Sequence, residues 1–258
     1  MTKTELFRSL HRGERPLMLP NAWDFGSAAM LAEAGFPAIG TTSLGVAAAA
    51  GLPDGTASTR AETLSLATRL GRLSIPVSVD IEGGFSTDPD EVAEFCAELA
   101  AAGIAGINLE DSRSNTELAD PQAHGALIAA VKARVPELFV NARTDTYWMG
   151  ADQESTLDRV LHYEKCGADG IFVPGVTDPE RIRELTTALT APLNILFSPT
   201  GATVAELADL GVRRVSTGSL LYRAALAAAV HTAESVTHGH ALVGEIPSYT
   251  TIQRLLAP

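Results

Sequence analysis

The sequence predicts a (β/α)₈ barrel of the TIM type with an extra C-terminal helical segment. Eight short apolar segments alternate with helix-like segments at a spacing of roughly 25 residues, the order expected of such a barrel. The apolar segments are continuous and do not alternate with polar residues, which is typical of parallel strands covered by helices on both faces. Polar residues end nearly every segment. A doubly wound open sheet shares the alternation and is the alternative.

The elements follow one another simply along the chain. A polar helix over 4–12 precedes the first strand, and a second helix opens at 21–24 and stops at Gly35. Residues 43–55 are predicted to be a loop of small residues, and helices are expected over 58–70 and 90–102. The predicted strands cover residues 16–20, 37–42, 75–82, 104–110, 136–143, 168–174, 192–197 and 212–217.

One domain is predicted over residues 1–258, because no Pro- or Gly-rich linker divides the chain. Residues 219–258 form a C-terminal helical extension, with an Ala-rich helix over 219–236 and a short apolar segment at 249–256. The chain is 46% hydrophobic and has a mean hydropathy of +0.13, enough to bury a large core.

Charge and composition limit the partners. A formal net charge of −12 argues against nucleic acid or an anionic membrane, since both require basic patches. An anionic substrate would need local arginine or metal charge. Cys96 and Cys166 lack partners at metal-ligand or redox spacing, and neither a signal segment nor an apolar run of transmembrane length is present. We therefore expect a soluble cytoplasmic protein.

Acidic residues end two neighbouring strands. Asp80 and Glu82 follow an apolar run, and their spacing would make them project together from a strand. The next strand ends at Glu110 and Asp111. Because adjacent carboxylates repel unless a cation or proton lies between them, this pattern indicates a hard divalent ion, Mg²⁺ or Mn²⁺. The alternative is that Glu82 and Asp111 cap the helices that follow.

In a barrel the active site lies at the C-terminal ends of the strands. The other polar residues at those ends are Thr42, Ser43, Arg143, Asp145, Asn194, Ser216 and Thr217. Asn108 and Asn141 each lie two residues before a strand's last charged residue, so they would form a polar layer just below the site. Structural hydrogen bonding is the alternative role for both asparagines.

Five motifs at successive strand ends now suggest a family. They are Ser43-Leu44-Gly45, Gly51-Leu52-Pro53-Asp54, Asp80-Ile81-Glu82-Gly83-Gly84-Phe85, Asn108-Leu109-Glu110-Asp111 and Asn141-Ala142-Arg143-Thr144-Asp145. With these motifs the sequence resembles the isocitrate lyase and phosphoenolpyruvate mutase superfamily, over nearly the whole chain from Leu19 to Gly218.

The resemblance implies a barrel enzyme that binds Mg²⁺ (or Mn²⁺) and a small α-oxo or α-hydroxy carboxylate. It assigns the metal to Asp80, Glu82 and Glu110, some of them through water. Asp54 would lie near the reacting centre and Arg143 would pair with the substrate. The implied substrate contacts are Ser43, Leu44, Gly45 and Asn194. It also implies a homodimer or homotetramer whose subunits exchange a C-terminal helix.

The chain also departs from the family pattern. The loop after Glu110 lacks the Cys and Lys of isocitrate lyases, and Asn115 alone could replace the Asn of phosphonomutases. Where the family carries a Glu after the sixth strand, this chain has 172–175, Phe-Val-Pro-Gly. His124 could be a substitute acid, although a surface or core histidine is the simpler interpretation.

These features predict a lyase or decarboxylase that breaks a C–C bond through a metal-stabilised enolate. A phosphonomutase acting on a C–P bond and a non-catalytic barrel that binds an oxo acid are the alternatives. A phosphate site at the loops 198–201 and 216–219 ranks lower, because neither loop contains Lys or Arg.

The segment 111–125 is predicted to be a mobile lid, since it is polar and lacks an apolar period. Its cation, Arg113, is expected to bind a second substrate carboxylate when the lid closes. The alternative is a fixed loop with Arg113 in solvent, paired to Glu117.

Overall fold

The computed structural model describes residues 1–113 and 116–256 and confirms the predicted barrel. Its main sheet is parallel throughout, in the order β1-β11-β10-β9-β8-β5-β4-β3-β2. The strands are β1 (Leu17–Leu19), β2 (Asn21–Ala22), β3 (Ile39–Thr41), β4 (Val77–Asp80), β5 (Gly106–Glu110), β6 (Ser112–Arg113), β7 (Glu117–Leu118), β8 (Phe139–Arg143), β9 (Gly170–Phe172), β10 (Leu193–Leu196) and β11 (Arg214–Ser216).

The described residues contain twelve α-helices, and most of them follow a strand of the ring and cover its outer surface. They are α1 (Lys3–Leu10), α2 (Phe25–Glu33), α3 (Ser43–Ala49), α4 (Arg60–Leu70), α5 (Pro89–Ala101), α6 (Pro121–Arg134), α7 (Thr146–Met149), α8 (Thr156–Lys165), α9 (Pro179–Ala188), α10 (Val204–Asp209), α11 (Leu220–His238) and α12 (Tyr249–Leu256). Two antiparallel strands, β6 and β7, form a separate hairpin beyond β5.

The ring closes because its two end strands are one interrupted strand. Pro20, which has no N–H to donate, separates β1 from β2. β1 pairs with β11 and β2 pairs with β3, so this strand joins both edges of the sheet. The Asn21 side chain reinforces the closure: its carbonyl oxygen accepts bonds from the N–H groups of Thr217 and Gly218, both at 3.0 Å. A closed ring excludes the doubly wound open sheet.

Two local predictions differ from the structure. Asn21 and Ala22 belong to a strand, and the second helix begins after Asp24, whose carboxylate accepts a bond from the Ser27 N–H at 2.7 Å. Part of the segment expected to be a small-residue loop, 43–55, is the helix α3. The prediction of a loop relied on the small size of these residues, but alanine, the commonest of them, is the strongest helix former.

The apolar core has two parts. The larger part lies between the ring and its helices, where both faces of the strands are covered. The smaller part fills the N-terminal end of the barrel, where Phe7 of α1 packs with Leu19 and Phe139. α1 therefore closes the barrel at the end opposite the strand termini that carry the polar residues.

The C-terminal helices extend past β11 and match their predicted positions. α11 buries only Ser235 among its residues, and Leu226 and Val230 are 50% and 60% exposed. α12 contacts α2, with an ion pair between Arg254 and Glu33 at 2.6 Å. In the described part of the chain, no helix has the length and apolar character needed to cross a membrane.

Candidate active site

A cavity of about 190 Å³ opens at the C-terminal ends of the barrel strands. It is lined by Asn21, Thr41, Thr42, Ser43, Leu44, Asp54, Gly55, Asp80, Asn108, Glu110, Arg143, Trp148, Phe172, Pro174, Leu196, Ser216, Gly218 and Ser219. Four of these side chains carry charge: Asp54, Asp80, Glu110 and Arg143. The polar strand ends identified in the sequence thus meet where a barrel places its active site.

Asp80 is the last residue of β4 and faces this cavity. Its N–H donates to the Thr41 hydroxyl at 2.9 Å, and one of its carboxylate oxygens accepts from the Glu82 N–H at 3.1 Å. Burial raises the pKa of Asp80 to about 6, and the nearby carboxylates of Asp54 and Glu82 add to this rise while Arg143 opposes it. A cation beside Asp80 would relieve this strain on its negative charge.

Glu82 does not line the central cavity with Asp80, although strand periodicity predicted that the two would project together. β4 ends at Asp80 and Glu82 has a left-handed φ of 50°, so the periodicity does not extend to Glu82. Its negative charge still contributes to the raised pKa of Asp80. The carboxylate accepts bonds from the Thr59 hydroxyl at 2.6 Å and the Ala57 N–H at 2.9 Å. It lines a second, adjacent cavity of about 240 Å³.

Arg143 links two carboxylates at the end of β8. Its guanidinium contacts Glu110 at 2.8 Å and Asp145 at 2.6 Å, and it lies 5.6 Å from the centre of the Phe172 ring. Although burial opposes the charge, the surrounding carboxylates raise the pKa of Arg143. Burial raises the pKa of Glu110 to about 8, an effect that Arg143 opposes and that Asp145 and Asp80 increase. The guanidinium is therefore held in one orientation at the cavity wall.

Asp111 has a structural role, whereas the sequence suggested either an acidic metal site or a helix cap at this strand end. It is fully buried, and its carboxylate accepts bonds from the Thr144 hydroxyl, the Asp145 N–H and the Tyr163 hydroxyl at 2.8–2.9 Å. It caps no helix: α6 is capped by Asp120 and, likewise, α5 is capped by Asp88 instead of Glu82. Asp111 fixes the end of β5 to the loop that follows Arg143.

Of the four predicted substrate contacts, Ser43 and Leu44 line the cavity, whereas Gly45 and Asn194 do not. Ser43 and Leu44 line the cavity in the first turn of α3, where backbone N–H groups lack partners within the helix. Gly45 lies behind them, and a Cβ there would come within 2.7 Å of the Trp23 Cβ. Asn194 is fully buried below the cavity, and neither polar atom of its carboxamide has a hydrogen-bond partner among the described residues.

The charged lining fits one divalent cation. With all groups ionised, the three lining carboxylates and Arg143 sum to −2. One buried oxygen of Asp54 has no hydrogen-bond donor within the described residues. In the ranges 1–113 and 116–256, no three Asp, Glu, His or Cys side chains are grouped closely enough to hold a metal together. Side-chain donors already bind the carboxylates of Glu82 and Glu110. Among the described residues no side-chain donor binds the carboxylates of Asp80 and Asp54, so these two side chains can bind an ion directly.

Arg113 lines the second cavity and is partly buried. Its guanidinium donates to the backbone carbonyls of Glu110 at 3.1 Å and Ser112 at 2.9 Å. It lies over Gly83, where any side chain would meet it. The two cavities share Gly55 and Glu110, so Arg113 lies next to the central cavity without entering it.

Parts of the segment 111–125, which is predicted to be a mobile lid, have regular secondary structure. Asp111 is anchored, and 121–125 belong to helix α6. Between them, β6 and β7 pair as a hairpin in which Arg113 lies opposite Glu117. Asn115, the possible counterpart of the phosphonomutase Asn, lies outside the described residues.

No motif in the sequence predicted the apolar wall of the cavity. Phe172, Pro174 and the half-exposed Trp148 form this wall. No Cys, His, Lys or Tyr side chain lines the cavity in the part of the chain that the structure describes. Thr59, which binds Glu82, was also missed, because it is distant in sequence and carries no motif.

His124 belongs to the core and is not a catalytic acid. It is fully buried, its ring lies 4.8 Å from that of Tyr163, and it does not line the cavity. Burial, assisted by Arg113 and Arg159, lowers the pKa of His124 from 6.5 to about 3. The folded protein therefore holds this imidazole neutral at ordinary pH.

This shift predicts a loss of stability in acid. Between about pH 6.5 and pH 3 the unfolded chain binds a proton at His124 that the folded chain does not, so stability falls as pH falls. From pH 7 to pH 4.5 the contribution is about 2 kcal/mol. We expect urea unfolding of His124→Leu to show a smaller decrease over this interval than wild type. The exposed His231→Leu is the control, and an unchanged pH dependence in His124→Leu would contradict the assignment.

Comparison with known proteins agrees with the motifs and the fold. Residues 7–237 match the phosphoenolpyruvate phosphomutase family. An uncharacterized Mycobacterium tuberculosis protein is 48% identical over 252 residues, covering 97% of this chain and 95% of its own. An oxaloacetate decarboxylase from Pseudomonas paraeruginosa is 34% identical over 239 residues, covering 86% and 81%.

A solved structure extends the likeness in fold. Oxaloacetate acetylhydrolase in complex with the product oxalate superposes with a TM-score of 0.87 at 22% identity, covering 98% of this chain and 93% of that one. The chain therefore belongs to the phosphoenolpyruvate phosphomutase family, in the superfamily of phosphoenolpyruvate mutase and isocitrate lyase, and is a lyase or mutase of that superfamily.

Proposed function

We propose that this protein is a divalent-metal-dependent decarboxylase of a small α-oxo dicarboxylate of the oxaloacetate type. The supporting observation is the cavity lining, which combines three carboxylates and one arginine with no Cys, His, Lys or Tyr among the described residues. Decarboxylation of a β-keto acid releases CO₂ and leaves an enolate, which solvent water can protonate. Such a reaction needs charge stabilisation and needs no dedicated acid side chain.

The residues of the chain would divide this work. A bound Mg²⁺ or Mn²⁺ would supply the Lewis acid that stabilises the enolate. Asp80 would hold it directly, with Glu82 and Glu110 reached through water and Asp54 close by. Ser43 and the free N–H groups of α3 would bind the substrate carboxylate, which Arg143 would orient.

The phosphonomutase alternative is favoured by the description of the matching family. A panel of α-oxo diacids, α-hydroxy diacids and phosphonates, each with Mg²⁺, separates the two activities. The proposal predicts release of pyruvate and CO₂ from oxaloacetate, without turnover of phosphonates. Turnover of a phosphonate alone would establish the mutase, and saturable binding of oxo acids without any turnover would indicate a binding protein.

Arg113 is proposed to bind the distal carboxylate of the substrate when the hairpin β6–β7 moves over the cavity. Its present bonds are to neutral carbonyl groups, which a carboxylate would replace favourably. We expect Arg113→Ala and Arg113→Lys each to lower kcat/KM by roughly 10- to 100-fold, because the hydrogen bond involves two charged groups and Lys lacks the bidentate fork.

The exposed Arg134→Ala serves as the control for Arg113. Wild-type rates in both Arg113 variants would leave Arg143 as the sole cationic anchor and contradict this role.

A second copy of the chain is the proposed partner, in a homodimer or homotetramer. Eight of the ten large apolar residues that are exposed in the described part of the chain lie within 226–256, in α11 and the segment after it. This concentration supports the proposal, because apolar residues grouped at a surface mark a protein interface. We expect sedimentation at micromolar concentration to show an oligomer, and Leu226→Glu with Val230→Glu to shift it toward monomer. Thr187→Glu, at an exposed position of α9 outside this surface, is the control. A stable wild-type monomer would contradict the proposal.

A further inference from the structure

Asn108, in the middle of β5, lies at the floor of the central cavity. Its side-chain oxygen accepts two hydrogen bonds, from the Asn141 amide at 2.9 Å and from the Arg214 guanidinium at 3.0 Å. The asparagine was expected from the sequence to belong to a polar layer under the site. In the structure, Asn141 and Arg214 both donate to the oxygen of the Asn108 carboxamide, so one end of this group is occupied by protein donors.

Arg214 reaches Asn108 across the inside of the barrel. Counting β1 and β2 as one strand, β11 and β5 lie four positions apart in a ring of eight and are therefore diametrically opposite. The guanidinium is buried and lies 5.9 Å from the centre of the Phe7 ring, which closes the barrel below it. Asn108 thus receives its bond from a cation that α1 and the barrel wall hold in place.

The identity of the donors fixes the orientation of the Asn108 carboxamide. A guanidinium can only donate hydrogen bonds, so the atom that faces Arg214 must be the amide oxygen. The amide nitrogen is then on the other side. Among the described residues it has no hydrogen-bond acceptor, and it is not one of the fully enclosed orphan atoms, so it is open to the cavity.

We propose that the Asn108 side-chain N–H group donates a hydrogen bond to an oxygen of the carboxylate ligand bound in the cavity. The ligand class rests on the proposed function. Arg214 and Asn141 hold the carboxamide before the ligand arrives, and a donor whose own oxygen is bound to a cation is a stronger donor. Because Arg214 and Asn141 fix its orientation, the Asn108 side chain would favour ligands that place an oxygen opposite its N–H group.

Asn108→Asp separates this role from a structural one. Aspartate keeps the oxygen that accepts from Arg214 and Asn141, and it replaces only the cavity-facing donor by an acceptor. We expect its thermal stability to equal or exceed that of wild type. Calorimetric titration with oxalate in the presence of Mg²⁺ should give affinity at least roughly 10-fold weaker, the loss of one hydrogen bond to a charged group.

Ser219→Asp controls for the added negative charge, because Ser219 lines the same cavity and its side chain makes no capping hydrogen bond at the start of α11. Its oxalate affinity should lie closer to that of wild type. In a crystal structure with oxalate and Mg²⁺, the Asn108 nitrogen should lie about 3 Å from an oxalate oxygen.

Equal oxalate affinity in wild type and Asn108→Asp, equal losses in the two Asp variants, or no oxalate binding by wild type would overturn the inference. Failure of the proposed function gives a different result. In that case wild type would bind oxalate more tightly than Asn108→Asp but would not decarboxylate any oxo acid.

Discussion

Replacing Asp80 by alanine is expected to abolish turnover while leaving the fold intact. Asp80 combines a position at the end of β4, access to the cavity and a carboxylate that no side-chain donor neutralises within hydrogen-bond distance among the described residues. The loss should be on the order of 10³-fold in kcat, the upper range for removing one preorganised electrostatic group. Removal of a buried negative charge next to Asp54 and Glu82 should also relieve repulsion.

Two readouts distinguish this expectation from simple unfolding. Calorimetry should detect Mg²⁺ binding in wild type and none in Asp80→Ala, and the melting temperature of the variant without metal should equal or exceed that of wild type. The exposed carboxylate Asp90, ten residues further along the chain, provides the control Asp90→Ala. Unchanged Mg²⁺ affinity in Asp80→Ala would remove this residue from the metal site.

Arg143→Lys is expected to have the second largest effect. The Arg143 guanidinium forms ion pairs with Glu110 at 2.8 Å and with Asp145 at 2.6 Å, through two different nitrogens. A lysine ammonium is a point charge and cannot reproduce this fork, so the carboxylates around it would shift. We expect kcat/KM to fall roughly 10²-fold or more, since Arg143 is proposed to orient the substrate carboxylate through a hydrogen bond between charged groups, which a lysine would misplace.

Stability should decrease together with activity in Arg143→Lys. A buried carboxylate that loses its partner costs about 3–5 kcal/mol when the partner is removed outright, and lysine should retain part of that energy. The exposed Arg134→Lys is the matched control, because Arg134 forms only a surface pair with Glu94. Wild-type kcat/KM in Arg143→Lys would show that a charge alone suffices there.

The barrel was predictable from the sequence because its signals are local and repeated. Each strand is an apolar run that ends in polar residues, and several helices end at glycine. The alternation of strands with helices and the number of strands could therefore be predicted from the sequence. The cavity-facing Asp80, Glu110 and Arg143 followed from the same logic, since strand ends of a parallel barrel meet at one face.

The exact paths of the side chains were not predictable. Asp80 and Glu82 line two adjacent cavities instead of one, because the chain leaves the strand at Asp80 and Glu82 adopts a left-handed conformation whose carboxylate binds Thr59. Periodicity arguments apply only while the strand continues. The partners of Asp111 lie 33–52 residues away in the chain, so no local pattern could distinguish this structural anchor from a metal ligand.

Arg214 shows a further limit of reading the sequence. It follows another arginine in a short strand and resembles a surface residue, yet it crosses the barrel interior to reach Asn108. Only closure of the ring places β11 opposite β5. The floor of the site therefore depends on the topology of the whole barrel and not on any motif.

The most direct test is metal-dependent release of CO₂ from oxaloacetate. Protein treated with chelator and then supplied with Mg²⁺ should release CO₂ and pyruvate in equal amounts, far faster than Mg²⁺ alone at the same concentration. The chelated protein and Asp80→Ala should not exceed the rate without protein. A wild-type rate equal to that of Mg²⁺ alone, or a rate unaffected by the chelator, would contradict a metal-dependent decarboxylase.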